Sequence, residues 1–219
     1  MIREIRRDEI AHCVDLIRQS FLTVAREYGI TEENAPRFTA FAVNCERLNR
    51  QYDEGRPMYA YYDGIGRMAG YYSLYLEKKA EERSGGREQE DGLQKQGAIE
   101  APQEEALQKQ GAIEAPQENG LQKQDWMECE LNNLCVLPEY RGARIGESLF
   151  RHALATAAGL GCRKMKIGIV EENRPLRLWY ERLGAKHVGT KKFDFFPFTC
   201  GYMERDVREE GEQVKTGHP

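Results

Sequence analysis

The sequence predicts an α/β (α+β) fold, a central twisted mixed sheet of about six to seven strands flanked by helices. Three observations predict it. A strand, turn, helix, strand, helix succession fills the C-terminal half, apolar stripes at helical spacing fill the N-terminal part, and a hairpin signal lies between them.

Taken in chain order, Ile2 and Ile5 suggest a short first strand. Ile10, Cys13, Val14, Ile17, Phe21 and Val24 then share one helical stripe beginning near Asp8. Phe38, Phe41, Ala42, Cys45 and Leu48 supply the apolar face of a second helix, which Gly55-Arg56-Pro57 ends. Residues 58–62 and 68–76 are strand-like runs around Asp63-Gly64-Ile65-Gly66, a strong hairpin turn. The tyrosines at 59, 61, 62, 71, 72 and 75 are either ordinary strand residues or one wall of a ligand pocket.

Residues 77–125 differ in kind. They contain no aromatic residue, and the segment from Leu93 to Glu104 recurs from Leu107 to Glu118, with a partial third copy from Leu121 to Gln124. The fourteen-residue period is twice a heptad, but Gly97, Pro102, Gly111 and Pro116 interrupt any helix, and each copy offers only Leu and Ile as large apolar residues. Such composition cannot bury enough surface to offset chain entropy, so a disordered insertion between strands 3 and 4 is expected, with partner binding as an alternative. Its twelve acids and seven bases give −5, which accounts for the acidity of a chain of net charge −4. The remaining 170 residues suit a single domain spanning 1–206, followed by a polar tail over 207–219 that is expected to fray.

The fourth strand, residues 127–136, is followed by Leu137-Pro138 and a basic, Gly-containing turn that opens a helix carrying Ile145, Leu149, Ala153 and Ala157. That geometry makes an anion site. The first amides of a helix lack partners within it, and the macrodipole adds positive charge where a phosphate can sit. Arg141 and Arg144 add full charges. Gly159 and Gly161 stop the helix, Met165, Ile167 and Ile169 alternate along a fifth strand, and Asn173 with Pro175 opens another helix that Gly184 ends. Residues 186–190 and 199–206 read as closing strands, and Phe193 to Phe198 between them either pack at the sheet end or wall a ligand site.

Tyr140-Arg141-Gly142-Ala143-Arg144-Ile145-Gly146 resembles the Q/R-x-x-G-x-G/A signature of the GNAT superfamily of acetyl-CoA-dependent N-acetyltransferases. Residues 173–185, N-R-P-L-R-L-W-Y-E-R-L-G-A, resemble the same superfamily's E-N-x-x-A-x-x-L-Y-E-K-L-G-F pattern. Arg144 departs from the first pattern, standing where many members carry Gly. The resemblance implies a GNAT-type fold and acetyl-CoA as co-substrate, with no metal. It implies that backbone groups of Leu134, Cys135 and Val136, on a fourth strand splayed from the fifth, hold the pantetheine arm. The pyrophosphate would lie on the amides of Arg141, Gly142, Ala143, Arg144, Ile145 and Gly146, and Asn173 would contact the coenzyme arm.

Acyl transfer to an amine needs a deprotonated amine, a polarised carbonyl and a proton for the departing thiolate. By resemblance Tyr180 is the acid. Glu130 is the first candidate base and Glu128 the second, since both share one side of strand 4 with Asn132; the alternative is that they are simply solvated acids. The implied function is direct acetyl transfer to a primary amine of a small molecule or peptide. The alternative is a non-catalytic acyl-CoA-binding or partner-binding protein on the same fold.

Six scattered cysteines without C-x-x-C pairing argue against a zinc site or disulfide framework and for a reducing cytoplasm. No apolar run is long enough for a membrane span, and no basic face suggests nucleic acid. A homodimer is left open.

Overall fold

The computed structural model describes residues 1–77 and 127–207. Its strands are β1 (Ile2–Glu4), β2 (Met58–Tyr62), β3 (Met68–Glu77), β4 (Met127–Val136), β5 (Cys162–Val170), β6 (Lys186–Lys192) and β7 (Thr199–Asp206). The helices are α1 (Ile10–Glu27), α2 (Thr39–Ala42), α3 (Cys45–Asp53), α4 (Ile145–Gly159) and α5 (Arg174–Arg182). All seven strands form one sheet in the order β1-β2-β3-β4-β5-β7-β6. Neighbours are antiparallel except β4 and β5, which are parallel and joined by the α4 crossover.

The fourteen-residue repeat and residues 208–219 lie outside the described residues. On either side of the repeat, Glu77 of β3 stands in register with Glu128 of β4, so residues 78–126 link two adjacent antiparallel strands. Val207, placed with the tail by its sequence, is buried and donates its amide to the Arg163 carbonyl at 2.9 Å.

Apolar alternation sorts side chains to the two sheet faces. Cys129, Leu131, Met165, Ile167, Ile169 and Met203 pack under α4 with Leu149, Phe150, Ala153 and Ala157. Gly70 allows that approach: a Cβ there would stand 2.7 Å from Leu149 Cδ1 and 3.0 Å from the Cys135 carbonyl oxygen. On the opposite face Met58, Ala60, Tyr62 and Tyr71 pack against Ile10, Cys13, Val14 and Ile17 of α1 and Leu48 of α3. A third cluster joins Phe38 and Ala40 near α2 to Val170, Phe196, Phe198 and Cys200.

The second helix read from the sequence is two helices. Asn44 breaks it with extended backbone and caps α3, its side-chain oxygen accepting the Arg47 amide at 2.8 Å. The predicted apolar face does not survive the break: Phe38 and Phe41 pack in the third cluster, Leu48 packs against α1, and Cys45 is exposed. At the start of α1, Glu9 is buried and held by Arg3 at 2.6 and 2.9 Å and by the Arg6 amide at 2.8 Å, which keeps its carboxyl down at about 2.

Candidate active site

The parallel pair β4–β5 is incomplete. Register runs from Met127 with Cys162 to Leu131 with Ile167 and stops there, while Gly168, Ile169 and Val170 of β5 continue to pair with β7. The C-terminal half of β4 is therefore open along its β5 side. A β-bulge causes part of this: register with β3 shifts between Tyr71 and Ser73, and Asn133 opposite the shift has φ +55. The bulge also reverses the alternation. Leu134 and Val136 turn to the α4 core and Cys135 to the α1 core, the opposite of what a regular strand would give.

Beyond β4 the chain makes a 3-10 turn over Pro138–Tyr140 and reaches α4 through Gly142 at φ +84 and Arg144 at φ +58. The first i→i−4 bond of α4 runs from Ser148 N–H to the Arg144 carbonyl at 3.0 Å, so the amides of Ile145, Gly146 and Glu147 precede the helical ladder. Tyr140 fixes the turn from below, donating its hydroxyl to Asp63 at 2.8 Å in the β2–β3 hairpin.

The two arginines part company. Arg141 points back into the protein: its guanidinium donates to the carbonyls of Val136 (3.3 Å) and Ser20 (3.2 Å) and to the Thr23 hydroxyl (2.9 Å). It ties the turn to α1 instead of standing free beside a phosphate. Arg144 is exposed at the entrance and keeps its charge at the mouth of the helix.

Asn173 caps α5, accepting the Leu176 amide at 3.1 Å. On α5, Tyr180 is buried edge-on against Phe150 (5.5 Å) and Trp179 (4.8 Å), and burial pushes its phenol pKa up. Among the described residues its hydroxyl takes no protein hydrogen bond.

These elements enclose one cavity of about 630 Å³. Leu134, Cys135, Val136, Arg141, Gly142, Arg144, Ile145, Gly146, Asn173 and Tyr180 all line it; Ala143 does not. Glu130 and Glu128 do not line it either. Glu130 is buried on the sheet face toward α1, and Glu128 is paired with Lys166 at 2.7 Å. None of the six strand tyrosines borders the cavity, whereas Phe196 and Phe198 are both core residues and cavity wall. Burial raises the Cys135 thiol to about 12 and the Cys200 thiol to about 11, so both cavity cysteines are neutral and poor nucleophiles.

The sequence reading missed the contribution of α1. Ser20, Thr23, Val24 and Glu27 all line the cavity, and Arg37 and Phe38 extend that wall. A signal existed: Ser20, Thr23 and Glu27 recur at spacings of three and four, a polar stripe beside the apolar one. Among the described residues no group of His, Cys, Asp or Glu side chains is placed to hold a metal, and no helix is long and apolar enough to cross a membrane.

Residues 113–185, which hold both the α4 entrance and the Asn173 helix, match the family model for the acetyltransferase (GNAT) family. A Bacillus subtilis protein provisionally named a ribosomal protein bS18-alanine N-acetyltransferase is 29% identical over 65 residues, 30% of this chain and 43% of that one. The chain thus spans less than half the length of the curated relatives it matches. The Escherichia coli ribosomal-protein-S18-alanine N-acetyltransferase structure superposes with a TM-score of 0.57 at 11% identity, over 94% of this chain and 93% of that one. Arabidopsis thaliana NAA60 in complex with acetyl-CoA gives 0.58 at 12% identity, over 95% and 98%.

Proposed function

We propose that the chain is an acetyltransferase of the GNAT superfamily, whose family model matches residues 113–185, and that it transfers an acetyl group from acetyl-CoA directly to a primary amine of a small molecule or peptide. One observation carries the proposal: a single cavity joins the open start of α4, the unpaired edge of β4 and the Tyr180 phenol.

The residues present suit the coenzyme. The amides ahead of the α4 ladder, the open space around Gly142 and the Arg144 charge suit a pyrophosphate. The unpaired edge of β4 suits an extended, amide-bearing arm, which can bond to it as a further strand would. Acetyl-CoA supplies the activated acetyl thioester. Asn173 borders that end, its oxygen committed to the cap and its side-chain NH2 left as a donor.

Tyr180 keeps its proton across the neutral range because burial penalises the phenolate, and so can deliver it to a departing thiolate. Glu130 is the proposed base, acting through water because its side chain is not part of the lining; Glu128, ion-paired with Lys166, comes second. The neutral cavity thiols favour direct transfer over an acetylated cysteine. All six cysteines are free, which suits the reducing cytoplasm in which we place the protein.

Calorimetry with acetyl-CoA and CoA is the first test, and no binding of either would sink the proposal. Tyr180→Phe is expected to bind coenzyme normally and lose about 10²-fold in kcat. The placement of both glutamates outside the lining favours a second reading, a binder that holds acyl-CoA without transferring it. Coenzyme affinity without amine-dependent thiol release would identify that case.

A further inference from the structure

The end of the cavity remote from α4 is built from different material. Phe21 and Val24 of α1, Phe38 before α2, Val170 at the end of β5, and Phe196 and Phe198 ahead of β7 form its walls. The rings pack on one another: Phe196 and Phe198 stack at 4.6 Å and 21°, Phe38 meets Phe198 edge-on at 5.8 Å, and Phe21 meets Phe38 at 6.1 Å. Their faces are therefore largely occupied by each other, and little π surface is left to cradle a cation. Two charged residues line this end, both exposed, while the carboxylate of Glu172, outside the lining, is held by the Thr199 amide at 2.9 and 3.1 Å. Glu27 lies in the last turn of α1, and Arg37 has its guanidinium 6.0 Å from the Phe195 ring.

Resting on the acetyltransferase function proposed above, we infer that the acceptor is an amine with a single ammonium group and an apolar arm, the arm lying among Phe21, Phe38, Phe196 and Phe198, and the ammonium drawn in past Glu27 before it gives its proton through water to the proposed base and attacks the thioester as the neutral amine. The chemistry of the walls disfavours a polycation. One carboxylate can compensate one ammonium. A second charged nitrogen would have to shed its water against phenyl edges or approach Arg37, and either is unfavourable. An apolar arm gains from leaving water on the same surface. A free arylalkyl or branched alkyl amine and a peptide N-terminus beginning with an apolar residue share this chemistry.

The test uses the full chain with saturating acetyl-CoA and follows free thiol. Phenethylamine and isoamylamine represent the free amine, Phe-Ala-Ala-Ala amide the peptide N-terminus, and spermidine and kanamycin the polycations. The expected result is a kcat/KM at least about 10-fold higher for phenethylamine or the peptide than for either polycation, the relative size of the first two identifying the source. A polycation preferred over both overturns the inference and leaves the acetyltransferase function standing. Absence of coenzyme binding, or of thiol release with every amine, overturns that function and the inference with it.

Two variants test the placement. Glu27→Gln, on the exposed turn, is expected to raise KM for the preferred amine about 10-fold with the acetyl-CoA Kd unchanged; an unchanged KM removes the ammonium seat. Phenethylamine is expected to exceed isoamylamine in kcat/KM, and Phe198→Leu to reduce that ratio at least about threefold; an unchanged ratio removes the aromatic wall. Coenzyme affinity reports whether that variant is folded, and if it is not, Glu27→Gln decides.

Discussion

Arg144 holds φ +58 and ψ +15 at the N-cap of α4, a left-handed conformation that costs a residue with a Cβ about 1 kcal/mol. The charge stands at the start of α4 at the expense of backbone strain. Arg144→Gly is therefore expected to raise stability by up to about 1 kcal/mol, or about 2 to 4 °C in Tm, while weakening coenzyme binding. Thermal unfolding and calorimetry on the same sample read both effects, and tighter binding in the glycine variant would show that the side chain obstructs the turn. Glu9 makes the clearest pH prediction. Its carboxyl titrates at about 2 in the folded chain against an ordinary 4.5, so its contribution is complete above pH 4.5 and is lost as pH falls toward 2. Glu9→Gln is expected to cost about 2 kcal/mol at pH 7 and to flatten the acid limb between those values in denaturant titrations.

At the scale of elements, the caps show how much was legible in the sequence. Asn173 followed by Pro175 gave the start of α5, and the structure has that cap with the Leu176 amide bonded. Asn173→Asp is expected to preserve stability, since a carboxylate caps equally well, while weakening coenzyme binding through loss of the NH2 donor. Asn173→Ala loses both, at about 1 kcal/mol of stability. Equal coenzyme affinity in wild type and the Asp variant would remove Asn173 from the coenzyme site. Asn44 shows the limit. Its cap splits the predicted stripe into two helices that pack in different clusters, and apolar spacing alone does not distinguish two short helices from one long one. The β4 bulge left only a faint mark: Asn133, at φ +55, is of a residue type that tolerates the left-handed region, but strand alternation gives no sign of the shift.

For the whole molecule, Arg141 links the two sides of the cavity. It joins α1, the end of β4 and the α4 entrance, and so connects the wall that carries Glu27 with the turn proposed for the coenzyme. Arg141→Lys keeps the charge but cannot span three acceptors, and is expected to cost about 1 to 3 kcal/mol in thermal unfolding and to weaken coenzyme binding. An affinity unchanged alongside lost stability would confine Arg141 to the scaffold. The repeat makes the complementary prediction. Glu77 and Glu128 stand opposite each other, so deleting residues 82–124 leaves six residues to close an ordinary hairpin between β3 and β4. Coenzyme binding is expected to survive, and its loss would make the repeat part of the working fold.

Local chemistry in the sequence determined the hairpin at Asp63, the strand-turn-helix with its basic entrance, the Asn173 cap and the boundaries of β4 and β7. Each depends on residues adjacent in the chain, where propensity and spacing act directly. Only the tertiary structure decided that Arg141 turns inward, that β4 parts from β5 after Leu131, and that Ser20, Thr23 and Glu27 face the cavity while Glu128 and Glu130 do not. Those outcomes depend on which distant surface reaches a side chain first, and hydrogen-bond demand and packing across the sheet settle it where sequence spacing cannot.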